Sequence, residues 1–319
     1  SGDLPQTETP TEEYNIEVQV AVKNFQFRHG LPTTGEVHEQ TLQALNVPVE
    51  NRLSTLLINL ERWRWLEHDF AEGKEIHVNI AGFELFALEQ QRLVLRLPVI
   101  VGKAYHASPI FSDSIKYIEF NPYWNIPPSI AANEILPKLQ KNSQYLTEHH
   151  MRIFERNSAI EVAASSIPWR QMNARAMNRY TLKQDPGPWN TLGALKFVFP
   201  NKHSVYLHDT ATPKLFAERN RAFSHGCIRV SEPLTLAAYL LNSPADPWDI
   251  NRVQSELADG KNRNVKLPSP VPIHLSYRTA WVDLDGSVNF RPDIYGRDQR
   301  LEQDMNFTNL ADRRRTTSS

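Results

Sequence analysis

The single cysteine of the chain, Cys227, sits in the run Ser224-His225-Gly226-Cys227-Ile228-Arg229. A cysteine does nucleophilic chemistry as its thiolate, and a nearby imidazole is the usual means of taking the proton away and giving it back. His208 is the candidate base. It ends the strand-like stretch Ser204-Val205-Tyr206-Leu207, and a strand that delivers it beside a loop bearing Cys227 would make a dyad. Gly226 fits immediately before a nucleophile, because the missing Cβ opens the approach and permits backbone angles closed to other residues. Backbone N–H groups around Cys227 could then face a tetrahedral oxyanion. Arg229, two residues on, is placed either to pair a carboxylate or to brace the loop.

A lone cysteine cannot form an intramolecular disulfide, so the fold must stand without that staple. In the cytosol such a thiol is usually an inert core residue; in an oxidising compartment it has no second thiol to mispair with. Composition does not choose between the two.

The elements that would position these residues follow from hydrophobic periodicity. Ile76, Val78 and Ile80 alternate with polar neighbours, and residues 93–101 form a β-rich run that ends at Gly102. Residues 115–120, 194–199 and 204–208 continue the pattern, which defines a mainly β catalytic domain over residues 75–267. Within it, residues 130–185 are rich in Ala, Asn, Gln and Met, with helical stretches near 131–139 and 169–180. They read as a helical insertion that caps an active site or forms a plain subdomain. Upstream, Val18, Ala21, Val22 and Phe25 have helical spacing, His29-Gly30-Leu31-Pro32 breaks the helix, and Thr41, Leu42 and Leu45 resume it. Residues 1–50 are thus a small α-helical module. Leu53, Leu56, Leu57, Leu60 and Trp63 then form one stripe of an amphipathic helix, so residues 51–74 are expected to be a linker strut packed through that stripe. Residues 268–319 form a C-terminal extension, with a strand pair at 273–275 and 279–282 leading to the turn signal Asp285-Gly286.

Composition excludes several classes. The chain has 319 residues, a formal charge of −1 and 22% charged residues, which gives no electrostatic case for nucleic acid. No apolar run approaches the ~18 residues of a membrane span, and the N-terminus lacks a secretory pattern. Ser1 to Glu13 is a polar lead-in, so a signal or anchor is expected further upstream. His149-His150 has no carboxylate or thiol at ligand spacing, His203 with His208 is no familiar metal pair, and no phosphate or dinucleotide loop is present. No metal or cofactor is expected.

His208-Asp209-Thr210 followed by Ser224-His225-Gly226-Cys227-Ile228-Arg229 resembles the signature of the YkuD-type L,D-transpeptidases. The resemblance extends through Val101-Gly102-Lys103, residues 121–127 (Asn-Pro-Tyr-Trp-Asn-Ile-Pro) and residues 187–193 (Gly-Pro-Trp-Asn-Thr-Leu-Gly). The run from Ala21 to Gln26, with His29-Gly30-Leu31, Thr34-Gly35 and Leu45-Asn46, is similar to the second half of a peptidoglycan-binding domain. Together with the insertion and the C-terminal extension, this looks like the long YcbB-type members of Gram-negative envelopes. The resemblance implies a YkuD-like β-sandwich. It also implies a reaction on peptidoglycan stem peptides, in which Cys227 attacks the bond after meso-diaminopimelate, releases D-alanine and holds a thioester that a second diaminopimelate amine resolves. By the same resemblance carbapenems acylate Cys227, His208 is the base, and the third element is the backbone carbonyl of Asp209. The family more often has Gly where this chain has Asp209. Tyr206, Trp124, Asn190, His225 and Arg229 fall in matched motifs and are expected to line the substrate cleft; for Trp124 and Tyr206 core packing is an equal reading. The family also implies a periplasmic address, an inner-membrane anchor upstream and contact with other wall-synthesis enzymes.

Two further functions fit the same residues. Water in place of the acceptor amine would give a carboxypeptidase or a hydrolase of cross-links. A silent wall-binding protein would keep the fold alone, but would have no reason to keep both His208 and Cys227.

Overall fold

A computed structural model describes residues 3–4, 13–65, 73–283 and 285–305. Its strands in chain order are β1 (Lys74–Asn79), β2 (Glu84–Glu89), β3 (Arg92–Gly102), β4 (Phe111–Phe120), β5 (Trp124–Ile126), β6 (Met151–Glu155) and β7 (Tyr180–Gln184). They continue with β8 (Leu195–Val198), β9 (Leu207–His208), β10 (Ala222–Ser224), β11 (Ile228–Val230), β12 (Arg263–Ser276), β13 (Ala280–Val282) and β14 (Val288–Phe290). The expected alternation is realised in β1, where Ile76 and Val78 are wholly buried. Nine strands form the main sheet in the order β10-β3-β11-β9-β8-β4-β12-β1-β2, and β2 also pairs with β3. That last pairing brings the sheet back on itself, so the catalytic domain is mainly β, as expected, with its layers continuous around one apolar core. β12 pairs with β4 on one side and with β1 on the other, which makes it the spine of this domain.

β12 runs through to Ser276, across the boundary expected at residue 268. The strand pair expected from 273–275 and 279–282 does not form; 273–275 lie within β12, while β13 pairs with β14 across the turn at Asp283 to Gly286.

The insertion is mixed rather than helical. β5, just before it, joins β7 and β6 of the insertion in a separate three-stranded antiparallel sheet. The stretch near 131–139 is helical, as a π-helix at Ala131–Ile135 running into Leu136–Lys141. The stretch 169–180 breaks into a 3₁₀ turn, a single α-turn and the start of β7. Ile135, Leu139, Leu146, Ile153, Trp169 and Leu182 belong to a core of its own. Period-2 signals in strands of five residues are easily lost among polar neighbours, which is why β6 and β7 escaped the periodicity reading.

The N-terminal module comprises α1 (Ile16–Arg28), α2 (Glu39–Leu45) and α3 (Val49–Arg64). Asn15 caps α1 through its side chain, and Gly30 at φ +61° turns the chain after the helix ends. Fully buried Gln26 ties the loop between α1 and α2, donating to Thr41 Oγ1 at 3.1 Å and to the Glu36 carbonyl at 2.8 Å, and accepting from Gly35 N–H at 2.9 Å. The expected leucine strut is not how α3 packs. Leu53, Leu57, Leu60 and Trp63 are exposed, and Ile58, Asn59 and Arg62 face inward. Asn59 exchanges two hydrogen bonds with Thr279, at 2.8 and 3.0 Å, and Arg62 pairs with Asp298 at 2.5 Å. Paired polar groups of the C-terminal extension therefore decide which face turns in. The same extension holds α1: Arg28 donates to the Val288 carbonyl, Arg291 donates to the Arg28 carbonyl, and Phe290 stacks on His29.

Candidate active site

β9 and β11 run parallel, with Leu207 opposite Ile228 and His208 opposite Arg229. The Ile228 N–H donates to the Tyr206 carbonyl at 3.1 Å, which carries the pairing one residue back and sets Cys227 alongside Tyr206. Side chains alternate across a strand. Leu207 and Ile228 go to the core, fully buried, and Tyr206, His208, Cys227 and Arg229 come up together on the opposite face. β8 adds Lys196 beside His208, its ammonium 4.6 Å from the centre of the Tyr206 ring and 3.1 Å from Glu119. Alternation along Leu195-Lys196-Phe197 signals such a residue, but its neighbours depend on strand order.

The loop before Cys227 is built by two buried serines. Ser224 Oγ accepts from the Gly226 N–H at 3.0 Å and donates to the Cys227 carbonyl at 2.5 Å. Ser108 Oγ accepts from Gly102 N–H at 3.0 Å and donates to the Gly226 carbonyl at 2.8 Å. Gly226 lies at φ +113°, which an L side chain rarely adopts, so a glycine is required there by the backbone itself. Tyr295 of the C-terminal extension donates to the Gly102 carbonyl, so the extension also braces this turn. Ser108 and Tyr295 were beyond reach of the sequence, since neither lies near a motif.

His208 is buried. Its Nδ1 lies 2.5 Å from the carbonyl oxygen of Asp209 and donates to it in the matching tautomer, the arrangement expected for the third element. Burial, aided by the Arg229 cation, pushes its pKa down to about 3, against the pull of the Asp209 and Leu192 carbonyls. Burial raises the Cys227 thiol above its ordinary value, while hydrogen bonds with Tyr206 and the cations Lys196 and Arg229 work the other way. At neutral pH the resting pair is thus a thiol and a neutral imidazole. The Asp209 carboxylate does not turn to His208: it accepts from Ala194 N–H at 2.8 Å and from Thr210 N–H at 2.7 Å. It fills the space that Gly193 leaves empty, since a Cβ on Gly193 would stand 2.3 Å from that carboxylate.

The other expected residues divide. Arg229 reaches Thr212 Oγ1 at 3.2 Å, while its Nε is buried without a hydrogen-bond partner. Tyr206 stands edge-on to His208 with ring centres 5.6 Å apart. His225 leaves the face and meets the insertion, Nε2 lying 2.5 Å from Glu134 Oε1. Asn190 does not line a cleft: it is fully buried, donating to the Pro122 and Asp185 carbonyls and accepting from Leu192 N–H. Trp124, at 9% exposure, belongs to the core of the insertion.

A thiol, an imidazole oriented by a carbonyl and two cations on one sheet face define a site suited to acyl transfer. The model of the L,D-transpeptidase catalytic domain, YkuD, matches residues 73–267, and a "Putative peptidoglycan binding domain" matches residues 2–45. The chain is 33% identical over 289 residues to a "Putative L,D-transpeptidase" of Haemophilus influenzae, covering 88% of this chain and 57% of that protein. The chain therefore belongs to the YkuD L,D-transpeptidase family, and spans little more than half the length of that relative. Solved structures with which it overlaps include the L,D-transpeptidase LdtMt1 in complex with imipenem, at 12% identity, 64% and 59% coverage and a TM-score of 0.29. Another is the L,D-transpeptidase of Stackebrandtia nassauensis, at 13% identity, 84% and 86% coverage and a TM-score of 0.28.

Proposed function

We propose that this chain is an L,D-transpeptidase that joins peptidoglycan stem peptides between diaminopimelate residues, with Cys227 as nucleophile and His208 as base. The reading is carried by the common sheet face on which β9 and β11 place His208, Cys227, Tyr206 and Arg229. His208, neutral at working pH, takes the thiol proton as sulfur attacks the carbonyl of meso-diaminopimelate, on the acyl side of its bond to D-alanine. Tyr206, Lys196 and Arg229 favour the thiolate as it forms. Collapse of the tetrahedral adduct breaks the peptide bond, the proton on His208 goes to the departing D-alanine amine, and a thioester remains. The acceptor amine attacks the thioester, gives its proton through His208, and restores the thiol. Arg229, on the same sheet face as Cys227, suits the stem peptide's carboxylate by charge. The matched module supports binding to peptidoglycan, and that substrate places the enzyme outside the cytoplasmic membrane; among the described residues no helix is long and apolar enough to cross one.

Disaccharide-tetrapeptides incubated with the protein should lose D-alanine and yield a dimer by mass. Loss without a dimer would indicate transfer to water. A carbapenem should add its mass to the wild type and not to Cys227→Ala; full activity in that variant would overturn the nucleophile assignment.

A further inference from the structure

Away from Cys227, β1 and β12 bring three metal-ligating side chains together. The strands are parallel and in register, with His77 opposite His274, and Glu75 lies two residues before His77 on the same face. The imidazoles stack with ring centres 4.8 Å apart and planes 24° from parallel. His77 Nε2 is 2.7 Å from Glu75 Oε2, and one ligand atom from each of the three residues lies within 4.8 Å of the others. The carboxylate of Glu75 is almost wholly buried. His274 Nδ1 is 2.8 Å from Ser112 Oγ on β4, an outer partner of the sort that fixes the ring orientation of a metal-bound histidine.

We infer that Glu75, His77 and His274 form a binding site for a divalent transition-metal ion of the zinc class. Two imidazoles and one carboxylate are a donor set that suits Zn²⁺, with solvent in the fourth position. Ligand atoms of a tetrahedral site with metal bonds of ~2.0–2.2 Å stand roughly 3.3–3.6 Å apart, so binding asks for small side-chain rotations and no movement of the strands. The bound ion would replace the His77 to Glu75 hydrogen bond and cross-link the first strand of the catalytic domain to its spine.

The test is titration of chelator-treated, dialysed protein with Zn²⁺ by calorimetry, together with the Co²⁺ absorption spectrum. Wild type and Cys227→Ala should each bind one equivalent, and the Co²⁺ complex should lack the sulfur charge-transfer band near ~300–350 nm that Cys227 would produce. His77→Gln/His274→Gln should bind at least tenfold more weakly. Wild type should melt higher in Zn²⁺ than in chelator, and the double variant should show no such difference. Its melting in chelator also reports whether it is folded, and if it is not, His274→Gln alone serves. Absence of a stoichiometric site in wild type, loss of it in Cys227→Ala, or retention in the histidine variants overturns the assignment. None of these results bears on acyl transfer at Cys227.

Discussion

At the residue scale, the reactivity of Cys227 turns on how its neighbours offset burial. Desolvation favours the thiol, and the Tyr206 hydroxyl favours the thiolate by hydrogen bonding to it. Such a charge-assisted bond is worth about 1.5–3 kcal/mol. Tyr206→Phe should therefore move the pH midpoint of thiol alkylation up by about one pH unit or more and slow alkylation at pH 7 roughly tenfold. An unchanged midpoint would remove Tyr206 from the chemistry. Asp209 makes the opposite case. Its carbonyl serves His208 and its carboxylate serves Ala194 and Thr210, so Asp209→Asn and Asp209→Gly should cost stability rather than turnover. Losing those two acceptor contacts should cost about 1–3 kcal/mol in Asp209→Gly, with kcat within a few-fold of wild type. A collapse of kcat with unchanged melting would show that the carboxylate acts in catalysis. Cys227, His208 and Gly226 could be named as candidates from the sequence because the chemistry proposed for them is suggested by residue types in short motifs. The use of Asp209 could not be read there, since its partners lie across the sheet beside Gly193.

At the element scale, periodicity located the long strands and the helices of the module, but not the inward face of α3. Five apolar residues at helical spacing argue for burial, yet Leu53, Leu57 and Leu60 stand in solvent because Asn59 and Arg62 meet specific partners in the extension. Those partners are more than two hundred positions away in sequence, and a local pattern holds no information about them. The contrast can be measured. Leu60→Ser should change stability by about 0.5 kcal/mol or less, as exposed substitutions do. Ile58→Ala, at a site 2% exposed, should cost about 2–4 kcal/mol in denaturant unfolding. If Leu60→Ser proved the costlier, α3 would pack through its leucines after all.

At the scale of the whole molecule, the buried histidines tie stability to pH. His208 is held neutral with its pKa at about 3, and His29, between Phe25 and Phe290, is lowered by burial to about 4. The unfolded chain releases both to the ordinary value near 6.5. Below that value the unfolded state binds protons that the folded state refuses, so the stabilising contribution is complete above pH ~6.5 and is lost as pH falls toward 4 and then 3. For each histidine the slope approaches about 1.4 kcal/mol per pH unit once the pH is well below 6.5 and still above the folded value. Asp209 and Asp298, raised by burial, act in the reverse sense, so the fall expected between pH 6.5 and 5 is the histidine contribution less theirs. Melting temperature should fall by several degrees across that interval. In His29→Gln/His208→Gln the fall over the same interval should be clearly smaller, the remainder coming from groups such as His77, which burial also lowers. An equal slope in wild type and variant would mean that the acid sensitivity arises elsewhere, and that neither imidazole is kept neutral by the fold.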